Sequence, residues 1–347
     1  MGQQGFWDVQ SRQQKLERKK DLLQRLNQMV PWESLRPTLK KIREKPRKSQ
    51  AGRKPLDEVL LFKMLVLQKL YNISDEDLEY QVNDRLSFMQ FLNLGLEDRV
   101  PDATTVWLFR EQLQKRGLVK ELFEQFESYL QQAGYQAKDG QIMDATLVPV
   151  PKQRNGKAEN QQIKNGQMPE DWSAQPHKRA QKDIDARWTK KNNVSHFGYK
   201  DHISIDGGFG FIRCYVVTDA SVHDSQVLAE LLDIDNPDGR IWADSAYRSV
   251  ARLEVLECMG FDPLFNERAY RNSPLSDEQK AANRERSKTR AKVEPVFGSW
   301  VSHSGGKLLR TIGIARAKTN LGLQNLVYNF KRLVFLETQA TSAEIAG

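Results

Sequence analysis

The chain has 347 residues, 39% of them hydrophobic and 28% charged, the balance of a globular protein with chain enough for one large or two ordinary domains. Its 53 Lys+Arg against 45 Asp+Glu leave a net charge of +8, which favours polyanionic partners. No stretch approaches ~18 uncharged apolar residues, Met1–Asp8 lacks the basic flank and apolar core of a secretory signal, and two cysteines, Cys214 and Cys258, cannot build a disulfide framework or a four-thiolate zinc site; the expectation is a cytoplasmic protein with no membrane association.

The N-terminal third reads as helices. Leu16, Leu22, Leu23, Leu26, Met29 and Val30 recur at helical spacing, and Pro31 ends that segment. Arg36 to Lys54 is strongly basic, with Lys40, Lys41 and Arg43 at its centre and Glu44 as its one acidic residue; Pro46–Pro55 reads as a linker. Leu56–Tyr71 is apolar enough for a buried helix. Ser74-Asp-Glu-Asp77 opens the next, expected to run to about Leu94, and Gly95 stops it. Pro101–Thr105 opens a helix through about Arg116, and Val119–Gln132 is followed by a stop at Gly134. Short helices with turns between them suit a helix-turn-helix DNA reader and a plain helical packing domain nearly equally.

The pattern changes at about Gln136. Gln141–Val148 is a short strand with Asp144 inside it. Pro149–Phe197 is polar and basic and reads as a long insertion, with Lys178, Arg179, Lys182, Arg187, Lys190 and Lys191 as a second basic cluster; so long a loop is usually functional. Tyr199–Asp206 and Phe209–Thr218 form a hairpin through Asp206-Gly-Gly208. Asp224–Leu232 reads as a helix, Arg240–Asp244 as a strand, Val250–Met259 as a helix, Phe261–Phe265 as a fifth strand and Ser276–Trp300 as a long helix carrying a third basic cluster, Arg284 to Lys292. Gly305-Gly306 breaks it, Ile314–Leu336 closes the fold, and the tail from Glu337 is expected to be unstructured. The order predicts an α/β domain with a mixed five-stranded, ribonuclease-H-like sheet flanked by helices, behind an all-α N-terminal domain. The expected boundaries are 1–135, 136–336 with its insertion at about 150–198, and a tail at 337–347.

Three carboxylates stand where chemistry needs them: Asp144 in the first strand, Asp244 at the end of the fourth, Glu294 on the long helix. A charged carboxylate in an apolar strand is costly unless it is paired or binds a cation. A group of three suits Mg²⁺ or Mn²⁺, and two such ions can clamp the attacking and leaving oxygens of a phosphoryl transfer. The plain alternatives are a strand-end carboxylate at Asp144, an Asx turn at Asp244 and an ion pair between Glu294 and Arg290. Lys200 and His202 alternate on the second strand and stand as candidates for the site or its rim. His196, His202 and His223 fit no compact zinc spacing. Trp172 and Trp188 are candidates to stack on an unpaired base, and Trp188 equally to anchor the insertion.

The chain resembles the DDE transposases of bacterial insertion sequences, of the insertion-sequence-five type. The resemblance is carried by Tyr71–Glu76, Asp84–Phe88, Val100–Thr105 and Phe109–Leu113 in the N-terminal part. In the catalytic part it is carried by Asp144-Ala-Thr-Leu-Val148, Asp183–Lys191, His196–His202, Thr218–Asp224, Ala243-Asp-Ser-Ala-Tyr247 and Arg290-Ala-Lys-Val-Glu294. It implies Asp144, Asp244 and Glu294 as a catalytic triad holding Mg²⁺, with Mn²⁺ as a substitute and two ions per site. It implies nicking of DNA at terminal inverted repeats, attack of the freed 3′-hydroxyl on target DNA, and a homodimer or higher oligomer in a bacterial, nucleoid-associated setting. The expected DNA contacts are Arg290, Lys200, His202, Lys40, Lys41, Arg43, Trp188, Lys190, Lys191 and Lys292. A related group carries Tyr, Arg, Glu and Lys around the catalytic Glu; here Ser287 and Val301 stand at the Tyr and Lys positions, and Lys292 and Lys307 are both candidates for the missing cation. The alternatives are a catalytically silent regulator derived from a transposase and another ribonuclease-H-like nuclease.

Overall fold

The computed structural model describes residues 11, 14–15, 21–43, 56–191, 193–270, 273–302 and 306–346. Leu16, the linker 46–55 and the cations Lys45, Arg47, Lys48, Arg53 and Lys54 lie outside these residues, as does Gly305 of the expected helix break. The chain divides into two compact units, Met1–Leu130 with His303–Gly305 and Gly322–Gly347, and Gln131–Ser302 with Gly306–Leu321.

The first unit is helical: Leu22–Met29, Trp32–Lys40, Glu58–Tyr71, Asp75–Asp84, Leu86–Leu92, Ala103–Lys115 and Leu118–Gln132. Short polar residues start several of these. Asp21, Asp57, Ser74 and Asp102 each accept a hydrogen bond from a backbone N–H three residues on, which satisfies one orphan donor of the first turn. Glu58–Tyr71 is buried on nearly all sides, as its continuous apolar run requires. The segment expected to run unbroken from Ser74 to Leu94 is two helices, because Arg85 is extended (φ −106°, ψ 112°). Trp32 sits at the middle of the core, edge-on to Phe91 (5.6 Å) and Phe330 (5.4 Å), and Phe330 is edge-on to Phe126 (4.7 Å). Phe330 belongs to the last helix, Ile314–Ala346; its residues from Gly322 onward pack into this unit, and those from Glu337 are helical to Ala346, where an unstructured tail was expected.

The second unit carries the sheet: β1 (Gln141–Pro149), β2 (Arg187–Lys191), β3 (Val194–Asp206), β4 (Ile212–Asp219), β5 (Arg240–Trp242) and β6 (Asp262–Pro263). The order is β2-β3-β1-β5-β6, with β4 also on β3. β1 is antiparallel to β3 and parallel to β5, and β5 is parallel to β6. This is the expected ribonuclease-H-like frame, with one strand more than the five read from sequence.

The extra strand is β2, inside the stretch read as a loop. Trp188 pairs with Phe197 there, so the hydrogen bonds of a polar segment are met by the sheet edge. The same stretch holds short helices at Lys157–Lys164, Glu170–Ser173 and Pro176–Ala180. They gather on Glu159, which accepts from the Trp172 indole (2.7 Å), Lys178 (2.8 Å) and the Gly156 N–H (2.6 Å). Gly198 pairs with both Pro149 and Arg187. Its φ is +153°, and a Cβ there would overlap the Val148 carbonyl oxygen, so the crossing of three strands demands glycine.

One face of the sheet packs Val148, Tyr199 and Val217 with Trp300, Leu309, Ala317 and Leu321. The other packs Met143, Ile241, Ala243, Leu228, Leu231, Tyr247, Leu256 and Phe265. The expected helix Asp224–Leu232 is shorter, a 3₁₀ turn at Asp224–Gln226 followed by Leu228–Leu231. The expected long helix Ser276–Trp300 is Asp277–Arg290, a 3₁₀ turn at Ala291–Val293, and Glu294–Ser302.

Candidate active site

β1 and β5 are neighbours, with Gln141 opposite Ile241 and Ile142 opposite Trp242. Side chains alternate along a strand. Ile142, Asp144 and Thr146 therefore share one face of β1, and Trp242 the corresponding face at the end of β5, two residues before Asp244. Asp144 Oδ1 accepts the N–H of Ala145 (2.8 Å). β5 ends at Trp242, and Asp244 opens a turn, its Oδ1 accepting the Ala246 N–H (2.8 Å) and its carbonyl the Tyr247 N–H (3.2 Å). The Asx turn and the candidate ligand are thus the same residue, since a second carboxylate oxygen remains.

Burial holds the Asp144 carboxyl above the usual carboxylate range; the Ala145 N–H and the charges of Arg290 and Lys191 oppose it, and the charge of Asp244 adds to it. The side chain nevertheless keeps 27% of its surface, with the Arg290 guanidinium 3.8 Å away. Arg290 Nε is buried and has no partner among the described residues. Behind the pair lies Tyr247, fully buried, its hydroxyl unpartnered among the described residues. Burial and the charges of Asp224, Asp144 and Asp244 keep that hydroxyl strongly protonated.

Glu294 is exposed and begins the helix after the 3₁₀ turn. Val293 beside it is buried against the sheet (1% exposed). Among the described residues no three His, Cys, Asp or Glu side chains form a group that would hold an ion. The charge of Asp244 acts on Asp144, while Glu294 is exposed at the start of its helix. The two aspartates still fit a divalent cation by donor chemistry. They are hard oxygen donors, each with a carboxylate oxygen not committed to a backbone N–H, and their mutual repulsion is what a cation relieves.

Lys200 and His202 are corrected. In the β1–β3 register Asp144 is opposite Ile203, while Leu147 and Ala145 are opposite Lys200 and His202; the pleat therefore turns both onto the opposite face. His202 is fully buried, its Nε2 2.9 Å from Thr218 Oγ1 and its Nδ1 3.9 Å from Asp224. Burial pushes its pKa down to about 4, against the pull of Asp224 and with the help of Lys200. Lys200 donates to Asp224 (2.8 Å) and the Val222 carbonyl (2.6 Å). The pair ties down the loop Asp219–Asp224, and His202 offers no surface to DNA.

The basic clusters are more nearly neutral in space than in sequence. Lys41 donates to Glu121, Arg43 pairs with Glu58 (2.7 Å) and Arg36 with Glu33 and Asp57, and Lys40 is exposed without an ion pair among the described residues. Lys292 is exposed along its length while its Nζ donates to the Gly207 carbonyl (2.9 Å). Lys190 and Lys191 are exposed on β2, and Trp188 keeps 46% of its surface while leaning on Phe197 (5.2 Å). Trp172 is fully buried and offers no face to stack on a base.

Two residues were not singled out by sequence. Asp183, 3% exposed, accepts from the N–H groups of Asp185 (3.0 Å), Ala186 (3.0 Å) and Gly313 (3.1 Å) and from the Tyr199 hydroxyl (2.8 Å to each oxygen). It is a structural hub, signalled only by its place in the Asp183–Lys191 motif. Thr146, 6% exposed, accepts from Lys307 (2.6 Å); two residues along from Asp144, it was legible by alternation.

A ribonuclease-H-like sheet with one aspartate on its central strand and another just past the end of the neighbouring strand is the frame of a divalent-metal-dependent phosphoryl-transfer enzyme. Residues 135–330 match the family described as Transposase DDE domain, and residues 10–112 match a Transposase domain (DUF772). The chain belongs to the DDE transposase family, whose domain performs metal-dependent DNA strand cleavage and transfer. It is also similar to the piggyBac transposase, solved by cryo-EM as a synaptic complex with hairpin DNA, at 12% identity over 93% of this chain and 74% of that one, with a TM-score of 0.44. No helix among the described residues is long and apolar enough to cross a membrane.

Proposed function

We propose that this transposase binds the terminal inverted repeats of an insertion sequence, cuts the DNA there, and joins the freed 3′-hydroxyl to target DNA by transesterification. The observation that carries this reading is Asp144 on β1 with Asp244 just past the end of the neighbouring β5, Asp144 being held above its ordinary range by burial and, in smaller part, by the charge of Asp244. Asp144 and Asp244 hold Mg²⁺, replaceable by Mn²⁺, in a two-ion site, and Glu294 supplies the third carboxylate. The 3₁₀ turn Ala291–Val293 immediately before Glu294 sets the direction of that side chain, and a short 3₁₀ stretch within a helix is a common hinge.

When bound, the cation activates water or the 3′-hydroxyl and steadies the charge on the phosphorus oxygens. The chain's own residues do the rest. Arg290 balances Asp144 and faces the phosphate; Lys190, Lys191 and Lys292 track the backbone; Trp188 gives a stacking face to an unpaired base. The helical N-terminal part, Lys40 included, binds the element ends or joins two copies, because two ends must meet in one homodimer or larger assembly. The work is done on the bacterial chromosome, in the cytoplasm.

The test is a cleavage and strand-transfer assay with DNA carrying the inverted repeats that flank the coding sequence, run with Mg²⁺ and with EDTA. Metal-dependent joining of 3′ ends supports the proposal. Tight end-binding with no metal-dependent cutting would favour the silent regulator instead.

A further inference from the structure

The sheet order β2-β3-β1-β5-β6 sets the strands of Asp144 and Asp244 between two cationic regions. On one side is β2, with Lys190 and Lys191 exposed. On the other, the parallel strands β5 and β6 end together. The turn after β5, the loop after β6 and the start of the helix Asp277–Arg290 meet there around a shallow cavity of about 180 Å³. Its walls include Ser245, Arg248, Glu267, Arg268, Tyr270 and Gln279. Ser245 follows Asp244 directly, so the cavity opens beside the candidate site.

The one carboxylate in these walls is already engaged. Glu267 accepts from Gln279 Nε2 at 2.6 Å and pairs with Arg286 at 3.4 Å, and Gln279 Oε1 accepts the Ser276 N–H at 2.9 Å in the cap of its helix. Arg248 and Arg268 are exposed, and neither has an ion pair among the described residues. The Arg248 guanidinium reaches the Phe265 carbonyl at 3.5 Å, the long limit of a hydrogen bond. Tyr270 keeps 72% of its surface beside them. The cavity is smaller than the ~300 Å³ at which small-molecule pockets begin. Two uncommitted guanidiniums and an exposed ring over a polar floor instead suit the backbone of a nucleic acid.

We propose that this surface, Arg248 and Arg268 with Tyr270, holds the target duplex, the second of the two DNA molecules that joining requires. This rests on the DNA chemistry proposed for Asp144 and Asp244. Joining brings a 3′-hydroxyl of one duplex and a phosphodiester of another to the same aspartates, so the two duplexes must approach from different sides. Lys190, Lys191 and Trp188 on β2 serve the element end on one flank, and the surface past β5 and β6 is the opposite flank. Its chemistry fits a target of varied sequence, because guanidiniums on sugar and phosphate fix a duplex in place and carry no base preference.

The experiment uses the full-length protein, a duplex carrying the flanking inverted repeat, and a labelled duplex without the repeat as target. The uncut repeat with Mg²⁺ reads cleavage, and a repeat supplied with its 3′-hydroxyl already free reads joining. Capture of the labelled target by the protein–repeat complex is read by anisotropy without metal. Arg248→Ala combined with Arg268→Ala leaves repeat affinity and cleavage within about twofold of the wild type, slows joining at least about tenfold, and lowers the salt slope of target capture by about two, one for each phosphate contact. Tyr270→Ala gives a smaller loss of joining, and Arg248→Lys with Arg268→Lys recovers part of it. Arg268→Ala alone, which breaks no ion pair among the described residues, serves should the double variant melt early. Wild-type joining and capture in these variants would overturn the proposal. So would repeat binding and cleavage that fall in step with joining, which would give the surface to the element end, or a wild-type repeat complex that captures no second duplex. A wild type that captures the target but cuts no repeat counts against the proposed function, and the salt slope of capture then decides on the two arginines.

Discussion

The two faces of the central sheet carry the same kinds of residue and treat them in opposite ways. On one face Lys200, Asp224, His202 and Thr218 are knitted together: Lys200 has two partners, His202 keeps a hydrogen bond to Thr218, and the group fixes a loop. On the other face Asp144 and Asp244 repel, Arg290 approaches Asp144 no closer than 3.8 Å, and Lys307 has a hydroxyl where a carboxylate would serve it better. Charge that is satisfied builds structure; charge left unsatisfied is held for a ligand. One residue of register separates the two roles, since Ala145, not Asp144, lies opposite His202.

The largest effect expected from breaking this contrast is on the open face. Asp144→Asn and Asp244→Asn should each lower DNA cleavage by at least about a thousandfold, as expected when a metal-held charge stabilisation of several kcal/mol is lost. DNA affinity, measured on the same preparations, should hold. Asp144→Asn should also raise the melting temperature of the metal-free protein by about one degree, because it removes a buried charge facing another, worth about 1 kcal/mol. A variant that lost affinity and melted earlier would show that Asp144 is structural.

The next effect belongs to the hub beside that face. Asp183→Ala leaves the Tyr199 hydroxyl and the N–H groups of Asp185, Ala186 and Gly313 without their acceptor. Calorimetry should show a loss of about 2–4 kcal/mol. An unchanged transition would mean that water replaces the carboxylate freely.

The closed face should reveal itself through pH. The His202 pKa is pushed down to about 4 in the folded chain, against about 6.5 when unfolded. At a pH between these values the unfolded chain holds more protons, so stability is lost as pH falls from about 6.5 through about 4, by up to about 3 kcal/mol. Thermal melts across that range should show the slope, and His202→Gln should flatten it. A slope identical in the variant would place the titration elsewhere.

The smallest effects concern the helical unit. Lys41→Ala breaks an exposed pair with Glu121 and should change stability by no more than about 1 kcal/mol, while Arg43→Ala takes the nearest cation from the buried Glu58 and should cost more. Lys40→Ala, which breaks no ion pair among the described residues, should lower the salt slope of DNA binding by about one if it touches a phosphate. Equal salt slopes in all three variants and the wild type would move the DNA contact out of this segment.

What the sequence disclosed follows from what is local. Ser74 and Asp102 cap their helices because capping needs one side chain and a backbone three residues away. The strand around Asp144 and the hairpin at Asp206 were legible for the same reason. The strand β2 was not, because Arg187–Lys191 has no apolar alternation of its own and is strand only where β3 offers it an edge. Trp172 was read as a candidate to stack on a base because its polar neighbours hide that Glu159, thirteen residues away, provides its hydrogen bond. The break before Glu294 was invisible, since Ala291, Lys292 and Val293 are all acceptable in an α-helix. The basic stretch around Lys41 looked unopposed because Glu121 is distant in sequence and near in space. For Asp144 and Asp244 the spacing along two strands carried the pairing, while Lys200 and His202 were lost to a pleat that depends on register.

The central claim is that the open face holds a divalent cation and the closed face does not. Mn²⁺ titrations followed by electron paramagnetic resonance test it most directly, with wild type, Asp144→Asn, Asp244→Asn and His202→Gln run in parallel near neutral pH. The account predicts that the wild type and His202→Gln take up Mn²⁺ alike, and that each aspartate variant binds at least about tenfold more weakly. Equal uptake by Asp244→Asn and the wild type would contradict it.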